Sequence, residues 1–403
     1  MPSSMSRRSF LGNASLMIAA APLAQRAPGP AAFSARVPTA WFDLTLDLAR
    51  TTPGFSPPVA ARAFAYTAIA LHDAIGPRRI ARAPRAAGLH WPTVANSAMA
   101  TIVRDLFPTT SRQAIDELER RFAQSSPAGR RAAAHGRRVA RHVLVWSRTD
   151  GYRRNALPYT PPQGAGLWVP TPPAFAPALH PFWGRNRPFV EAACAPAAPP
   201  AYSEDPSSEF YAEAREVYDV GRSLTPEQTA IARFWSDDPG VTPTPGGHSL
   251  SIATQTLRAL DAPLDVAAEA YASVTIAVSD AFIACWRTKF RYNLLRPVTY
   301  IQRVIDPAWM PLLTTPPFPE YTSGHSVQSM AAAEVLTDLF GRHGFTDHTH
   351  ATLPARSFRS FRAAAREAAF SRLYGGIHYR AAIERGMDEG ECIARRVRAK
   401  LTG

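Results

Sequence analysis

Apolar residues recur at helical rather than alternating spacing along most of the 403-residue chain. Segments 60–75 and 132–148 show the three- and four-residue spacing of amphipathic helices. No segment alternates over a sustained length as a strand would, and the pattern contains no internal repeat. The sequence therefore predicts an all-α fold of one or more helical bundles. In the C-terminal half, the predicted helices are 207–219, 225–236, 248–261, 264–295, 325–340, 357–373 and 379–400.

Segment 155–203 is rich in proline and aromatic residues. Prolines exclude helix interiors and central strands, whereas Trp and Phe require burial. We therefore expect a long ordered segment draped over the helices, because flexible linkers are not rich in aromatic residues. The expected organisation is a single mostly α-helical domain over 36–403. Its parts are N-terminal helices at 36–150, the wrapping segment at 155–203, and C-terminal helices at 206–403.

The composition is that of a folded protein, with 46% hydrophobic and 19% charged residues. The formal net charge is +13, but the arginines are spread along the helices instead of being clustered. This distribution argues against a nucleic-acid partner and favours small anions. Cys194, Cys285 and Cys392 lack the spacing of a metal site, so they allow at most one disulfide and require none.

The N-terminus resembles an export signal. The motif SRRSFLG at 6–12 precedes a short apolar run at 14–24, which is too short to span a bilayer. Arginine pairs are frequent in this chain, so the position of this pair before the apolar run is the informative feature. The sequence predicts a twin-arginine signal peptide at 1–27. The mature protein is then expected to be periplasmic or secreted, with no stable membrane insertion.

The stretch KFRYNLLRPV at 289–298 contains one of only two lysines among 45 basic residues. Lys289 therefore indicates a role for a compact, flexible point charge. Arg296 follows seven residues later, and on a continuous helix the two side chains would point the same way. Pro297 places Arg296 at or near the end of that helix. A solvated basic stripe explains this pair equally well.

The stretch PPFPEYTSGH at 316–325 precedes an apolar helical run. We expect a tight turn at Ser323 and Gly324 and a helix that starts just after His325. The amides of a helix start and a Ser hydroxyl can hold an anion, and His325 can exchange a proton with it. On this motif alone, a simpler interpretation is favoured, in which Ser323 or Ser326 caps the helix and His325 lies on the surface.

The stretch SRLYGGIHYR at 371–380 places an Arg and a His on either side of a glycine turn. Gly375 and Gly376 permit a sharp turn, so Arg372 and His378 can converge on one point, which a straight helix would prevent. On this motif alone, an ordinary helix–turn–helix with a hydrogen-bonded His is favoured.

Together, the three motifs supply three cations, two neutral donors and two imidazoles, which suit an oxyanion. Lys and Arg-Pro separated by six residues (289–297), Ser-Gly-His (323–325), and Ser-Arg and His separated by five residues (371–378) occur in this order. This order resembles the vanadium-dependent haloperoxidase and type 2 phosphatidic acid phosphatase superfamily. Further segments resemble the bacterial haloperoxidase-like branch, so the resemblance covers most of the chain after the predicted signal. These segments are 170–189, 235–248 and 280–293.

The resemblance implies a vanadate cofactor, at a site that phosphate can also occupy. His378 would bond the vanadium, and His325 would act as acid and base on the opposite side when hydrogen peroxide binds. Lys289, as a movable ammonium, would polarise the peroxide for attack by halide. The resulting hypohalous species would halogenate small organic substrates. Trp286 and Phe318 resemble positions that line the family's pocket, although simple burial also explains them. The oxygens of the cofactor would be held by Lys289, Arg296, Ser323, Gly324 and Arg372.

Two positions depart from the superfamily pattern. Thr322 stands where the family usually has Pro, and we expect it to loosen the loop without removing a donor. Ala382 stands where the phosphatases have an Asp that orients the last His, and Glu384 is badly phased to replace it. We expect a backbone carbonyl to orient His378 instead, a departure that weakens a phosphatase function more than a haloperoxidase function.

Three hypotheses remain open at this point. The leading one is a haloperoxidase, which requires vanadate and peroxide. The second is an acid phosphatase that forms a phosphohistidine at His378, with His325 as the acid, and turns over without vanadate. The third is a non-catalytic oxyanion-binding protein, in which the change at Ala382 has removed turnover but not affinity.

Overall fold

The computed structural model describes residues 29–76, 80, 88–110, 112–191 and 193–402. The predicted signal peptide at 1–27 lies outside the described residues. The two strands of the described chain, β1 (Phe345–Asp347) and β2 (Arg356–Phe358), form an antiparallel pair in which Phe345 lies opposite Phe358. The α-helices are α1 (Arg36–Thr51), α2 (Pro57–Ile75), α3 (Trp91–Leu106), α4 (Arg112–Arg121), α5 (Pro127–Ser147), α6 (Glu209–Arg222), α7 (Pro226–Phe234), α8 (Thr244–Ala259), α9 (Leu264–Tyr292), α10 (Pro297–Val304), α11 (Gly324–Phe340), α12 (Phe361–Tyr374) and α13 (Arg380–Thr402).

The predicted all-α fold is confirmed, and three local predictions are wrong. The helix predicted at 264–295 ends at Tyr292, because Asn293 adopts a left-handed conformation with φ of 47°. Helix α10, which begins at Pro297, was not predicted, although proline is favoured at the first position of a helix as well as beyond a helix end. Helix α12 begins at Phe361 rather than at 357, after Ser360 caps it and β2 occupies the preceding residues.

The centre of the fold is α9, which packs against α2, α8, α11 and α13. In the described chain, it is also the only helix long and apolar enough to cross a bilayer, but 89% of its most apolar window is buried inside the protein. Helix α9 is therefore the core helix that joins the two halves of the chain. One continuous hydrophobic cluster extends from Ala35 to Val397. The division of the chain into domains remains a prediction.

Two glycines allow the closest helix contacts. A Cβ atom on Gly136 of α5 would lie 2.3 Å from the carbonyl oxygen of Val94 in α3. A Cβ atom on Gly390 of α13 would lie 2.4 Å from the carbonyl oxygen of Val327 in α11. Because neither distance is sterically possible, only glycine allows these backbones to approach so closely. The second contact fixes α13 against the helix that carries Ser323 at its start.

The proline-rich segment is extended, ordered and packed on the helices, as predicted. Trp168 and Trp183 are fully buried. The Trp168 amide donates to the carbonyl oxygen of Asn293 at 2.6 Å, and the amides of Phe189 and Val190 donate to the Asp280 carboxylate in α9 at 2.8 Å each. These bonds satisfy backbone groups that a helix or sheet would otherwise pair.

A disulfide joins Cys194 of this segment to Cys392 of α13, across 198 residues, and Cys285 is a buried free thiol. The cross-link holds the wrapping segment against the last helix. The sequence allowed one disulfide without identifying the pair, and the fold selects Cys194 and Cys392.

Replacing Cys194 with alanine is expected to lower the free energy of unfolding by about 2–5 kcal/mol, because the unfolded chain loses a cross-link over a long loop. Urea denaturation followed by far-UV circular dichroism measures this change. Cys285→Ala is the matched control, since it removes a thiol but no cross-link. The assignment is wrong if the unfolded, unreduced parent protein reacts with a thiol reagent at all three cysteines.

Candidate active site

The second and third sequence motifs line one end of a cavity of about 330 Å³, and Arg296 of the first motif contacts His378 there. Lys289 comes from the last turn of α9 and Arg296 from the residue before α10, so the two do not share a continuous helix. Ser323 caps α11, of which Gly324 is the first residue. Arg372 lies in the last turn of α12 and His378 lies just before α13. The cavity is lined at this end by Gly324, His325, Arg372 and His378.

Three cations are buried at this site without a carboxylate partner. Lys289 and Arg296 are 0% exposed and Arg372 is 2% exposed. Burial lowers the pKa of Lys289 to about 8 and the pKa values of both arginines to about 10. In the described part of the chain, none of the neighbouring carboxyl groups forms a direct ion pair with these cations, because two of them contact histidines and Glu389 accepts from Thr322. Burying three such charges together is costly, so the site is suited to an anion that compensates them.

Lys289 is anchored rather than movable. Its ammonium group donates to the carbonyl oxygens of Pro319, Glu320 and Thr322 at 2.9, 2.9 and 2.6 Å. A lysine has three N–H donors, and all three are used. The prediction of a mobile point charge is therefore wrong for this structure. Position 289 is lysine rather than arginine because a compact ammonium can bind three carbonyls of one loop. A planar guanidinium does not match that geometry.

Arg296 combines backbone anchoring with an unused donor. Its Nε donates to the carbonyl oxygen of Phe318 at 2.8 Å, and its Nη1 donates to that of Ile377 at 2.9 Å. Its Nη2 is buried and has no hydrogen-bond partner within the described chain. An orphaned donor on a buried cation is unfavourable unless a ligand accepts from it. Arg296 is thus held in position with one N–H group left for an anion.

The tautomer of His378 follows from its two neighbours. Nδ1 lies 2.7 Å from Oε1 of Glu320, and Nε2 lies 3.2 Å from Nη1 of Arg296. Because a guanidinium can only donate, Nε2 must accept, and the ring proton is on Nδ1. Burial, followed by the charge of Arg296, holds the pKa of His378 well below its ordinary value. His378 is therefore a neutral imidazole whose unprotonated Nε2 faces the Arg296 guanidinium.

Glu320 orients His378, and the sequence analysis missed it. Oε1 of Glu320 also accepts the Tyr379 amide at 3.0 Å, and burial raises the Glu320 pKa to about 8. The predicted backbone carbonyl is not the partner, and the carbonyl of Ala382 accepts the Ser323 amide instead. One indication was available, because Glu320 is the only acidic residue in the stretch 316–325. The superfamily pattern points to a residue after the histidine, whereas Glu320 precedes it by 58 residues.

His325 faces the cavity rather than the surface. Its Nε2 lies 3.5 Å from Oδ2 of Asp237, and Nη1 of Arg372 lies 3.4 Å from both ring nitrogens. Burial, followed by the charge of Arg372, lowers the pKa of His325 to about 4. The ring is therefore neutral at neutral pH and can accept a proton.

Asp237 is a second residue that sequence reasoning missed, although it lies in a segment that carried the family resemblance. Its Oδ1 accepts from Thr242 at 3.0 Å and from Nδ1 of His248 at 2.8 Å, while Nε2 of His248 contacts Asp347 at 2.7 Å. Although burial opposes its charged form, the two carboxylates raise the pKa of His248 to about 10. This buried cation stabilises Asp237 as a carboxylate beside His325.

The loop before α11 is anchored, contrary to the expectation for Thr322. The Thr322 hydroxyl donates to Oε2 of Glu389 at 2.8 Å, and Thr322 is fully buried. The Ser323 hydroxyl accepts the Ser326 amide at 3.4 Å, so it caps the helix while lying at the site. The capping interpretation and the anion-site interpretation are therefore compatible. The amides of Gly324 and His325, the first two of α11, have no acceptor within the helix and remain available to an anion.

Trp286 and Phe318 line the cavity, as the family resemblance implied. Their ring centroids lie 4.9 Å apart. The Phe318 ring also lies 5.1 Å from Nζ of Lys289 and 4.9 Å from Cζ of Arg296. Cation–π attraction to this ring offsets part of the cost of burying the two cations.

The lowered pKa of Lys289 makes the stability of the anion-free protein depend on pH. Between the folded pKa of about 8 and the ordinary value of 10.5, the unfolded chain binds more protons than the folded one. The penalty from Lys289 is therefore fully present below pH 8 and disappears as the pH rises to 10.5, a gain of roughly 3 kcal/mol at most.

Phosphate is expected to reduce this gain, because a bound oxyanion favours the charged ammonium. Urea unfolding from pH 7.5 to 10.5, with phosphate or with chloride at equal ionic strength, measures the difference. Identical slopes in the two salts would show that no oxyanion interacts with Lys289.

Comparison with known proteins assigns this geometry to a class. Residues 269–402 match the VCPO second helical-bundle domain. The crystal structure of a bacterial vanadium-dependent iodoperoxidase is similar, with a TM-score of 0.83 and 37% identity, over 91% of this chain and 96% of that chain. Holo and apo structures of a bacterial vanadium-dependent chloroperoxidase share the fold at 16% identity. Their TM-scores are 0.66 and 0.67, over 89% and 88% of this chain and 96% of each of those chains. No curated protein matches the sequence.

The fold and the site thus define a helical-bundle protein of the haloperoxidase type, with a buried cationic site between its C-terminal helices. Given 37% identity over nearly the whole of both chains, the chain belongs to the vanadium-dependent haloperoxidase family. The resemblance inferred from its three motifs is confirmed.

Proposed function

We propose that the protein is a haloperoxidase that uses vanadate and hydrogen peroxide to oxidise halide to a hypohalous species, which halogenates small organic substrates. The observation that carries this proposal is the neutral His378, whose unprotonated Nε2 lies 3.2 Å from Nη1 of Arg296, a guanidinium whose Nη2 has no partner within the described chain. A metal-bonding nitrogen next to an unused donor on a buried cation suits a metal oxyanion. Membership of the family supports the same function.

The residues present fit vanadate. Nε2 of His378 would bond the vanadium, while Arg296, Arg372, the Ser323 hydroxyl and the Gly324 amide would hold its oxygens. Lys289 would contribute its positive charge and hold the loop that presents Ser323. When bound, vanadate supplies the Lewis-acid activation of peroxide.

The chain's own groups supply the proton transfer and the electrostatic stabilisation. His325 is neutral and accepts the proton that peroxide loses on binding. Asp237 then stabilises the resulting imidazolium, because it remains a carboxylate next to His248. The buried cations stabilise the negative charge on the oxygens in a site from which most water is excluded.

The test uses purified protein from which phosphate has been removed, with iodide or bromide and hydrogen peroxide. Halide oxidation is expected only after orthovanadate is added, and excess phosphate is expected to inhibit it. Triiodide absorbance or bromination of a dye provides the readout. Halide oxidation that is equally fast without vanadate, or absent in both samples, would refute the proposed function.

A phosphatase activity is the second candidate, and Glu320 is the observation that favours it. Glu320 orients His378 through Nδ1, which is the role that an Asp at position 382 would have had in a phosphatase. The change at Ala382 therefore no longer argues against a phosphohistidine, nor for a protein without turnover. Hydrolysis of p-nitrophenyl phosphate by the vanadate-free protein, inhibited by vanadate, would support this activity. Tight phosphate binding with neither activity would support the non-catalytic alternative.

We also propose export to the periplasm or the medium. The twin-arginine pattern at 1–27 supports this location, and so does the Cys194–Cys392 disulfide, since disulfides persist in oxidising compartments. Replacing Arg7 and Arg8 with lysine is expected to retain the protein in the cytoplasm, as measured by cell fractionation. Unchanged export would contradict the twin-arginine assignment.

A further inference from the structure

The cavity is much larger and more apolar than vanadate, peroxide and halide require. The catalytic groups occupy one end of its 330 Å³ volume. The rest is lined by residues of segment 171–179 of the wrapping region, by the loop 313–318, by the stretch 236–239, by Pro57 and Pro245, and by Phe282 and Trp286 of α9. A cavity of this size and composition is at the lower end of the range for small-molecule binding sites.

The walls of this cavity are preformed. The Leu179 amide donates to the carbonyl oxygen of Pro317 at 2.8 Å, and Nε1 of Trp286 donates to that of Leu179 at 3.2 Å. The Leu313 amide donates to the carbonyl oxygen of Gly375 at 3.0 Å, next to the His378 loop. These bonds tie the two proline-rich walls to each other, to α9 and to the catalytic loop. The apolar space is therefore a built feature of the site.

Away from the catalytic end, one polar group in the lining has no partner within the described chain. Thr315 is 6% exposed, and within the described chain its buried Oγ1 forms no hydrogen bond. An unsatisfied buried hydroxyl is unfavourable, and a ligand with one hydrogen-bonding group would relieve that cost. Asp238 lies exposed at the edge of the same cavity, so a neutral ligand is favoured over an anionic one.

We propose that this cavity binds the organic substrate, and that the substrate is a neutral aromatic compound of one or two rings with one hydroxyl group. The ring packs against Trp286 and the prolines, and the hydroxyl hydrogen-bonds to Thr315. The assignment rests on the proposed function, which supplies the hypohalous acid HOX. A ring carbon forms a bond to X and loses its proton, HOX loses hydroxide, and that proton and the hydroxide leave as water.

A binding experiment tests this site without halide or peroxide. The probe is 2-naphthol, with naphthalene as the analogue that lacks the hydroxyl, and calorimetry on the vanadate-loaded protein gives both affinities. We expect 2-naphthol to bind about three- to tenfold tighter than naphthalene, and Thr315→Val to remove that preference. A preference that persists in Thr315→Val would overturn the hydroxyl contact and with it the substrate class.

A variant that fills the cavity tests the location. Ala176→Trp is expected to weaken 2-naphthol binding at least about tenfold, because the new ring occupies the apolar wall. Ala201→Trp, at an exposed position in the same segment, is the matched control and should bind as the parent does. Absence of 2-naphthol binding in the parent, or unchanged binding in Ala176→Trp, would overturn the proposal.

This outcome is separable from the proposed function. Triiodide formation by the parent without any organic compound tests halide oxidation alone. A parent that forms triiodide but does not bind 2-naphthol retains the proposed function and loses the substrate site. A parent that binds 2-naphthol in the cavity but forms no triiodide retains the aromatic site and loses the haloperoxidase function.

Discussion

Replacing His378 with alanine is expected to abolish vanadate-dependent iodide oxidation, lowering its rate by roughly a thousandfold or more. His378 is the only described side chain at the site that combines a neutral imidazole nitrogen with adjacent cationic donors and an orienting carboxylate. Without it, the buried cations can still attract an oxyanion, but no nitrogen is placed to bond the vanadium. Triiodide formation at saturating peroxide measures the rate, and equilibrium dialysis with orthovanadate measures the affinity.

His348→Ala is the matched control for this experiment, because His348 is an exposed histidine that follows β1. The control should retain the parent rate. If His378→Ala retains a rate within about tenfold of the parent while remaining folded by circular dichroism, His378 is not the vanadium ligand.

The second large effect is expected at Glu320. Replacing it with leucine removes the acceptor for Nδ1 of His378 and for the Tyr379 amide. The imidazole can then rotate or change tautomer, so vanadate affinity should fall about 10- to 100-fold, as for other groups that orient a metal ligand. Titration of the phosphate-free protein with orthovanadate, followed by activity, measures the affinity.

Glu320→Gln separates orientation from charge. The Gln side chain keeps the oxygen that accepts both hydrogen bonds, so the tautomer of His378 should be preserved and most of the affinity retained. Equal losses in Glu320→Leu and Glu320→Gln would mean that the negative charge matters rather than the acceptor. No loss in Glu320→Leu would show that Glu320 does not position the ligand.

The three hydrogen bonds of Lys289 to backbone carbonyls determine what this residue contributes to the site. A lysine bound to three carbonyls stabilises the loop at 319–322 and places Ser323 and Gly324 at the start of α11. Lys289 therefore contributes by positioning this loop and by the positive charge that it places near the site. Arg296 and Arg372, with Phe318 stacked near the first, supply the cationic groups nearest to the histidines.

The sequence by itself determined the helical fold and most of the site. Helical periodicity depends on residues three and four apart, which a linear sequence displays directly, so α9, α11 and α13 were located to within a few residues. The three gapped motifs contained the cations and both histidines, because a family's ligands recur at fixed local spacing. The errors in these predictions were mainly helix boundaries, as at Asn293, whose left-handed conformation ends α9.

Only the tertiary structure decided which groups support the ligands. Glu320 meets His378 across 58 residues, and Asp347 meets His248 across 99. Such contacts depend on how helices pack and loops cross. The hydrophobic periodicity of a short segment contains no information about them. The same reason explains the pairing of Cys194 with Cys392 and the apolar walls contributed by the wrapping segment. The sequence thus identified the residues that meet at the candidate site, and the packing of distant segments determined their orientation, their protonation and the space beside them.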